Sequence, residues 1–330
     1  MPFVWLYYKQ ETGMKTVFLD RLSLDKEDLD FSALSKLSVD WDIYEQTSVS
    51  ETGERVKGAE IIISNKVFIS KDVIDSAKNL KLICIAATGT NNVDLDYAEE
   101  KGVQVCNVRG YGTNSVTQHV FTTLLMLMRS IPQYQRAIKN GDWQKSKEFC
   151  LLDYPIEDLT NKTFGIIGYG ELGKGVAKIA EAFGMRVIVA AHNKTETLAT
   201  FSLSELLLQS DVVSIHCPLT AETENLIDTK ELLMMKPNAI LINMARGGIV
   251  NERALAEALI NKKIAGAAID VLVKEPPESG SPLLQLDLPN LIITPHIAWA
   301  SRTARQTVLN QVIQNIQNYI SGGALINKVV

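Results

Sequence analysis

Residues 163–184 read "TFGIIGYGELGKGVAKIAEAFG" and carry the strongest fold signal in the chain. The first residues are apolar and typical of a buried strand, and three glycines follow in the spacing GxGxxG, at Gly168, Gly170 and Gly173. An amphipathic helical pattern comes next, and a second apolar run, "MRVIVAA", begins at Met185. The glycine spacing alone also occurs in simple turns. Between a strand and a helix, however, it predicts a dinucleotide-binding loop.

The residues of this loop have separate physical roles. Gly168 permits the tight turn, Gly170 lets the backbone approach a pyrophosphate, and Gly173 lets the helix pack closely on the strand. The start of the helix supplies unpaired N–H groups and the positive end of the helix dipole. The predicted cofactor contacts in this loop are Gly168, Gly170, Glu171, Leu172 and Gly173.

Apolar runs of strand type alternate with amphipathic stretches along nearly the whole chain. Examples are "EIIIS" at 60–64, "LKLICIAAT" at 80–88 and "DVVSIHCP" at 211–218. Near-continuous apolar strands with intervening helices are typical of parallel sheets that are covered on both faces. The sequence therefore predicts an α/β fold of two Rossmann-like or flavodoxin-like, doubly wound parallel-sheet domains, with the active site in the cleft between them.

The predicted domain boundaries follow from the helical segments. Residues 114–143 have the pattern of one long helix, which we expect to leave the first domain as a hinge. A helical C-terminal segment is expected to pack back on the first domain. We therefore predict a discontinuous substrate (catalytic) domain over 1–115 plus 298–330, and a dinucleotide-binding Rossmann domain over 116–297.

The composition argues against several classes of protein. The formal net charge of −5 gives no electrostatic reason to expect nucleic acid or an anionic membrane as a partner. The apolar runs are too short to cross a bilayer. The four cysteines and four histidines are scattered, which favours reduced thiols in the cytoplasm and no metal site. Residues 1–13 are expected to be an upstream extension, since Met14 opens a good first strand.

Three polar side chains follow separate strand-type runs in the second half of the chain. Arg246 follows "ILINMA", Glu275 follows "GAAIDV" by a few residues, and His296 follows "LIITP". Each one alone is more often a surface or structural residue. Because ligands bind at the carboxyl ends of the strands in open α/β sheets, we expect the three to share one rim.

Together the three side chains suit the reduction of a keto acid. The guanidinium of Arg246 can hold a carboxylate through two hydrogen bonds and polarise a carbonyl. A carboxylate such as Glu275 beside His296 stabilises the imidazolium, which can protonate a ketone oxygen while a nicotinamide delivers hydride. Arg246, Glu275 and His296 are therefore the predicted catalytic residues.

Seven stretches resemble the D-isomer-specific 2-hydroxyacid dehydrogenase family over essentially the whole chain. They are "ATGTNNVDL", "NVRGYGTNSVTQHV", "GIIGYGELGKG", "HCPLTAETENLI", "INMARGGIVNE", "DVLVKEPP" and "NLIITPHIAW". Within the family, "TGTNNVDL", "GYGTNSV" and "CLLDYP" look most like the glycerate dehydrogenases, also called hydroxypyruvate reductases. The resemblance implies the same catalytic trio, an NAD(P) cofactor and a small 2-oxo or 2-hydroxy acid substrate.

The resemblance also implies further contacts. The substrate carboxylate is expected to meet the backbone around Thr88 and Gly89, with Lys66 either a further anion contact or simply an exposed lysine. Additional implied cofactor contacts are Thr117, Cys217, Met244, Ala245, Arg246, Asp270, His296, Ala298 and Trp299. The family resemblance implies a homodimer, in which Trp143 either belongs to the interface core or reaches toward the active site of the partner.

The tip of the second strand departs from the NAD pattern. The acidic residue that usually binds the ribose falls at Ala191, and His192, Asn193 and Lys194 follow it. A carboxylate there would repel a 2′-phosphate, and Ala191 removes that repulsion. The sequence therefore favours NADP(H) or dual use, with NAD(H) as the alternative, and predicts cofactor contacts at these four residues.

Two alternatives to hydroxypyruvate or glyoxylate reduction stay open. One is a D-lactate-type or phosphoglycerate-type dehydrogenase, because substrate choice depends on pocket side chains that one sequence does not place. The other is a non-catalytic dinucleotide-sensing protein with the same fold. Turnover with hydroxypyruvate distinguishes an enzyme from a sensor.

Overall fold

The computed structural model describes residues 13–190, 200–278 and 280–330. These residues separate into two compact units. The first unit comprises the described residues of Met1–Tyr111 together with Ala300–Val330, and the second comprises those of Gly112–Trp299. The chain therefore leaves the first unit once and returns to it for its C-terminal segment.

Both units consist of short strands that alternate with helices. The strands are β1 (Met14–Phe18), β2 (Val39–Ile43), β3 (Ile61–Ser64), β4 (Leu82–Ile85), β5 (Gln104–Cys106), β6 (Thr163–Ile167), β7 (Arg186–Ala190), β8 (Val212–Ile215), β9 (Ile240–Asn243), β10 (Gly266–Ile269) and β11 (Leu291–Ile293). The α-helices are α1 (Val49–Arg55), α2 (Lys71–Ser76), α3 (Leu95–Glu100), α4 (Thr113–Met128), α5 (Ile131–Lys139), α6 (Asp142–Lys145), α7 (Glu171–Ala182), α8 (Leu203–Gln209), α9 (Thr229–Met234), α10 (Glu252–Ile260) and α11 (Arg302–Ile320).

The first unit is a parallel five-stranded sheet in the order β2-β1-β3-β4-β5. All residues of β3 and β4 are buried, which explains why their sequences are apolar without alternation. The C-terminal segment belongs to this unit through direct bonds. Val105 exchanges backbone hydrogen bonds with Val329 and Val330, and the guanidinium of Arg305 donates to both carboxylate oxygens of Asp28, at 2.7 and 2.6 Å.

The second unit is a parallel six-stranded sheet in the order β7-β6-β8-β9-β10-β11. The chain runs outward from β6 to β7 and then crosses to β8 on the other side of β6. The strand order therefore reverses between β6 and β8, and ligands of open α/β sheets bind in the crevice at such a point. The predicted pair of doubly wound parallel α/β domains is confirmed.

The prediction of one long helix over 114–143 is wrong. The helix ends at Met128, and a second helix begins at Ile131. Ser130 lies between them with φ of +49°, a left-handed conformation that interrupts a right-handed helix. Its hydroxyl donates to the Pro155 carbonyl at 2.7 Å, and Pro132 is compatible only with the first turn of the new helix.

No helix among the described residues combines the length and apolarity needed to span a bilayer. In the same parts of the chain, no group of three or more His, Cys, Asp or Glu side chains is placed to bind a metal ion.

Candidate active site

The glycine turn after β6 lies against the backbone that follows β8. Gly168 has φ of +91°, and a Cβ there would lie 2.6 Å from the backbone nitrogen of Cys217. The neighbouring backbone is fixed by a 2.7 Å hydrogen bond from His216 N to Ile167 O. Any side chain at Gly168 would therefore be strained and would also push the two strand ends apart.

Gly173 and Gly170 are glycines for different reasons. A Cβ at Gly173, on the first turn of α7, would overlap the carbonyl oxygen of Gly168, so the strand and the helix meet backbone to backbone. Gly170 precedes α7 with an ordinary φ of −79°, and a Cβ there would meet no atom of the described residues within 4 Å. The described parts of the chain therefore do not require glycine at 170. The open space in front of the helix N-terminus fits the close approach of a pyrophosphate.

This difference predicts opposite effects of two alanine substitutions. Gly173→Ala should lower the free energy of unfolding by about 1–3 kcal/mol, as overpacking does. Gly170→Ala should leave it unchanged and weaken binding of NAD(P)H, since its methyl group occupies the space in front of α7. Urea unfolding and cofactor fluorescence titration measure the two effects. Equal stability losses in both variants would contradict this account of the turn.

The three predicted catalytic residues lie at the ends of neighbouring strands. Arg246 follows β9, Glu275 follows β10 and His296 follows β11, and these strands are adjacent and parallel in the sheet. Their carboxyl ends therefore meet at one edge of the second unit, as the sequence predicts. The contacts of each side chain determine its chemical use.

The turn after β9 is held by a buried amide. Asn243 accepts a hydrogen bond from Ala245 N at 3.0 Å and donates one to Arg246 O at 2.9 Å. The guanidinium of Arg246 donates to the carbonyl of Ala245 at 2.7 Å, and the residue itself is exposed. Asn243 thus fixes the backbone from which an exposed, charged guanidinium extends, as anion binding requires.

The Arg246 loop and the Glu275 loop touch through their backbones. A Cβ on Gly247 would overlap the carbonyl oxygen of Leu272. The N–H of Leu272 in turn donates to Oε1 of Glu275 at 2.8 Å. The absence of a side chain at 247 therefore brings the arginine turn directly against the segment that orients the acid.

Glu275 and His296 form a close pair. Nδ1 of His296 lies 2.5 Å from Oε2 of Glu275, and the two side chains are 34% exposed for Glu275 and 28% for His296. A carboxylate at this position accepts a hydrogen bond from the Nδ1–H and so fixes the tautomer and the orientation of the ring. Because Glu275 occupies Nδ1, Nε2 is the nitrogen available to a substrate oxygen.

A second acid, Glu252, fixes the loop that carries Glu275. Its two carboxylate oxygens accept hydrogen bonds from Val273 N at 2.8 Å and from Ser281 Oγ at 2.5 Å. Glu252 and Asn243 are not predicted from the sequence, because their roles depend on tertiary contacts rather than on a strand end. The stretch "INMARGGIVNE" contains both, which is the signal that could have pointed to them.

Several of the remaining predicted cofactor residues lie in or against the core of the second unit. Met244, Ala245 and Ala298 are buried, and Leu172 and Trp299 pack on the core. Thr117 on α4 has a buried hydroxyl without a hydrogen-bond partner among the described residues. Glu171 accepts a 2.6 Å hydrogen bond from Thr113.

Ala191, His192, Asn193 and Lys194 lie outside the described residues, so the predicted cofactor contacts there stay predictions. In the first unit, Thr88 is exposed after β4, donates from Oγ1 to the Val108 carbonyl at 2.9 Å and accepts at its own carbonyl from Asn107 at 2.8 Å. These bonds fix the Thr88–Gly89 backbone. The backbone at Lys66 is also fixed, because its N–H donates a 2.7 Å hydrogen bond to the carboxylate of Asp20.

His216 sits beside the glycine turn as a neutral residue. Its Nε2 lies 2.8 Å from Ser214 Oγ, and its Nδ1 is buried without a hydrogen-bond partner in the described parts of the chain. Burial lowers the pKa of His216 to about 4, from an ordinary value of 6.5. The unfolded chain therefore binds a proton below pH 6.5, whereas the folded chain does not until the pH approaches 4.

The free energy of unfolding should consequently fall as the pH falls from 6.5 to about 4, because only the unfolded state gains the proton there. His216 contributes at most about 1.4 kcal/mol per pH unit to this change in the free energy of unfolding. Urea unfolding at a series of pH values measures it, and His216→Gln should lose less stability than wild type over the same interval. Identical slopes for the two proteins would contradict the assignment.

The sequence of this chain matches the profile of a known protein family. The profile "D-isomer specific 2-hydroxyacid dehydrogenase, NAD binding domain" matches residues 121–298. These residues are more than half of the chain. The chain therefore belongs to the D-isomer specific 2-hydroxyacid dehydrogenase family. The resemblance is confirmed, and the chain is an oxidoreductase of the class that acts on CH–OH groups and has an NAD-binding domain.

Individual proteins of this family are similar to the chain over almost its whole length. A glycerate dehydrogenase of Methylorubrum extorquens is 45% identical over 309 residues, which cover 93% of this chain and 96% of that protein. A hydroxypyruvate reductase of Blautia hydrogenotrophica is 36% identical over 317 residues, covering 94% and 98%. The crystal structure of the TT0316 protein from Thermus thermophilus is similar with a TM-score of 0.86 and 35% identity, covering 96% of this chain and all of that one.

Proposed function

We propose that this protein reduces hydroxypyruvate, and glyoxylate more weakly, to the corresponding hydroxy acid, and that it catalyses the reverse reaction when the oxidised cofactor is in excess. The observation that carries the proposal is the placement of Arg246 and of the Glu275–His296 pair at three adjacent strand ends. The names of the two relatives, glycerate dehydrogenase and hydroxypyruvate reductase, support this choice of substrate.

Each residue of the trio has a defined task. Arg246 binds the substrate carboxylate and polarises the keto oxygen through its guanidinium. His296 donates the proton on Nε2 to that oxygen during reduction and accepts it during oxidation. Glu275 orients the ring and stabilises its charged form. When bound, the reduced nicotinamide supplies the hydride that the keto carbon accepts.

The remaining site residues complete the proposal. The first unit is the substrate domain and supplies carboxylate contacts through Thr88 and Gly89. The second unit is the dinucleotide-binding domain. Its proposed cofactor contacts are Thr117, Gly168, Gly170, Glu171, Leu172, Gly173, Ala191, His192, Asn193, Lys194, Cys217, Met244, Ala245, Arg246, Asp270, His296, Ala298 and Trp299.

A substrate panel tests the proposed reaction. The purified chain is assayed with NADPH and NADH against hydroxypyruvate, glyoxylate, pyruvate and 3-phosphohydroxypyruvate. We expect the highest kcat/KM with hydroxypyruvate. A preference for pyruvate or for the phosphorylated acid would instead assign a D-lactate-type or phosphoglycerate-type dehydrogenase, and cofactor binding without turnover would assign a sensor.

We propose NADP(H) or dual use, because Ala191 cannot repel a 2′-phosphate and Lys194 adds a positive charge nearby in sequence. Comparing kcat/KM for NADPH and NADH tests this choice. Ala191→Asp should shift the ratio toward NADH, since it restores a carboxylate at this position. A large preference of the wild type for NADH would refute the proposal.

We also propose a homodimer in the cytoplasm. Residues 138–152 expose apolar side chains, among them Trp143 at 52%, Phe149 at 89% and Leu152 at 75%. Apolar surface of this kind is typical of protein interfaces. Light scattering should show a dimer, and Phe149→Glu combined with Leu152→Glu should yield a monomer.

The proposed cytoplasmic location is supported by the four free cysteines, which fit a reducing compartment. Cell fractionation tests it.

A further inference from the structure

A chain of partly buried polar side chains runs from helix α4 to the turn that carries His296. Nε2 of His119 lies 3.0 Å from Oγ1 of Thr294, and that hydroxyl lies 2.5 Å from Oδ1 of Asp270. Asp270 is 2% exposed and the side chain of His119 17% exposed. The proposed reaction assigns no task to His119 or Thr294.

The direction of these hydrogen bonds follows from the donor inventory. An ionised carboxylate only accepts, so the single hydroxyl proton of Thr294 goes to Asp270. The Thr294 oxygen must then accept from His119, which places a proton on Nε2 of that ring. The order is therefore His119 to Thr294 to Asp270, and the orientation of the carboxylate is fixed on this side.

Asp270 in turn holds the backbone of the His296 turn at three points. Its carbonyl oxygen accepts from His296 N at 2.8 Å. Its Oδ1 accepts from Ile297 N at 2.9 Å, and its Oδ2 accepts from Ala298 N at 2.8 Å. One residue thus binds three successive backbone N–H groups.

The turn needs such support because His296 has φ of +54°. A left-handed conformation is unfavourable for a residue with a Cβ, and surrounding contacts must compensate for it. The ring must also meet Glu275 at hydrogen-bond distance. Small displacements of a catalytic group lower the rate strongly even when the substitution lies far from the chemistry.

We propose that His119 and Thr294 are positioning residues for His296. Their hydrogen bonds set the orientation of the Asp270 carboxylate, which sets the backbone and hence the ring of His296. The kinetic test of this inference rests on the proposed function, whereas its spectroscopic test does not.

The kinetic test compares disruptive and conservative variants. Thr294→Val and His119→Ala should lower kcat about 10- to 100-fold, with little change in the KM for the cofactor. Thr294→Ser keeps the hydroxyl and His119→Gln keeps an N–H donor near the position of Nε2, so both should retain most of the wild-type kcat. Thr122→Val is the matched control. Thr122 is exposed on α4, the helix that carries His119, and its hydroxyl donates to the Gln118 carbonyl. It therefore takes no part in the hydrogen bonds between His119, Thr294 and Asp270. Equal kcat losses in His119→Gln and His119→Ala would overturn the proposal.

The spectroscopic test observes the His296 ring directly. The chain has four histidines, so the imidazole ¹H–¹⁵N signals are few, and those of His296 are assigned by their loss in His296→Asn. These signals should move in His119→Ala and Thr294→Val and return toward wild type in His119→Gln. Unchanged His296 signals in the disruptive variants would overturn the proposal, even if the wild type proved inactive on every keto acid. If Thr294→Val fails to fold by circular dichroism, the His119 pair decides.

Discussion

Replacing His296 by Asn is expected to lower kcat for hydroxypyruvate reduction about 10²- to 10⁴-fold, the usual contribution of a general acid. The substitution removes Nε2, which is the only ring nitrogen left for the substrate once Glu275 occupies Nδ1 at 2.5 Å. Asn is the appropriate replacement because it tolerates the left-handed backbone at this position. The affinity for NAD(P)H should fall far less than kcat, because His296 is only one of many proposed cofactor contacts.

Steady-state kinetics and cofactor titration measure these two quantities. Glu275→Gln serves as a companion variant, because its amide oxygen can still accept from Leu272 N although the charge is lost. It should lower kcat less than the loss of the imidazole does. A His296→Asn enzyme with nearly wild-type kcat would remove the imidazole from the mechanism.

Arg246→Lys is expected to lower kcat/KM for the 2-oxo acid about 10²- to 10³-fold, the range seen when one charged or hydrogen-bond donor to a developing oxyanion is lost. An ammonium keeps the charge but not the planar fork that binds a carboxylate through two parallel hydrogen bonds. The loss should affect both KM and kcat, since the guanidinium acts on the substrate carboxylate and on the keto oxygen.

The matched control is Arg253→Lys, an exposed arginine on α10 of the same unit. It should leave both constants at their wild-type values. Retention of normal kcat/KM by Arg246→Lys would show that another group binds the carboxylate, and the Thr88–Gly89 loop would then be the first candidate.

Much of the fold could be predicted because buried parallel strands are apolar on both faces. The runs before Gly168, Arg246 and His296 are unmistakable for this reason, and each residue lies at a strand end as expected. The strand β2 was missed, since "VDWDI" at the sheet edge is only partly buried and contains two aspartates. An edge strand needs less apolar sequence, so its pattern is weak.

The placement of the three predicted catalytic residues at one edge of the sheet could be predicted, but the side chains that support this edge could not. Arg246, Glu275 and His296 come shortly after apolar runs, so local pattern and parallel topology place them together. His119 and Thr294 are 175 residues apart, and Glu252 and Ser281 are 29 apart. Such pairs form only when helices pack on the completed sheet. The same dependence on tertiary contacts explains why the break at Ser130 was not anticipated.

The bare backbone contact between Gly247 and Leu272 has a consequence for anyone who redesigns substrate preference. A longer or bulkier turn after β9, introduced to admit a different acid, would also displace the segment that orients Glu275 and, with it, the Glu275–His296 pair. Changes made on the two loops should therefore be non-additive in double-mutant cycles. New specificity is more accessible when both loops are transplanted together, as one cassette, from a relative that already accepts the desired acid.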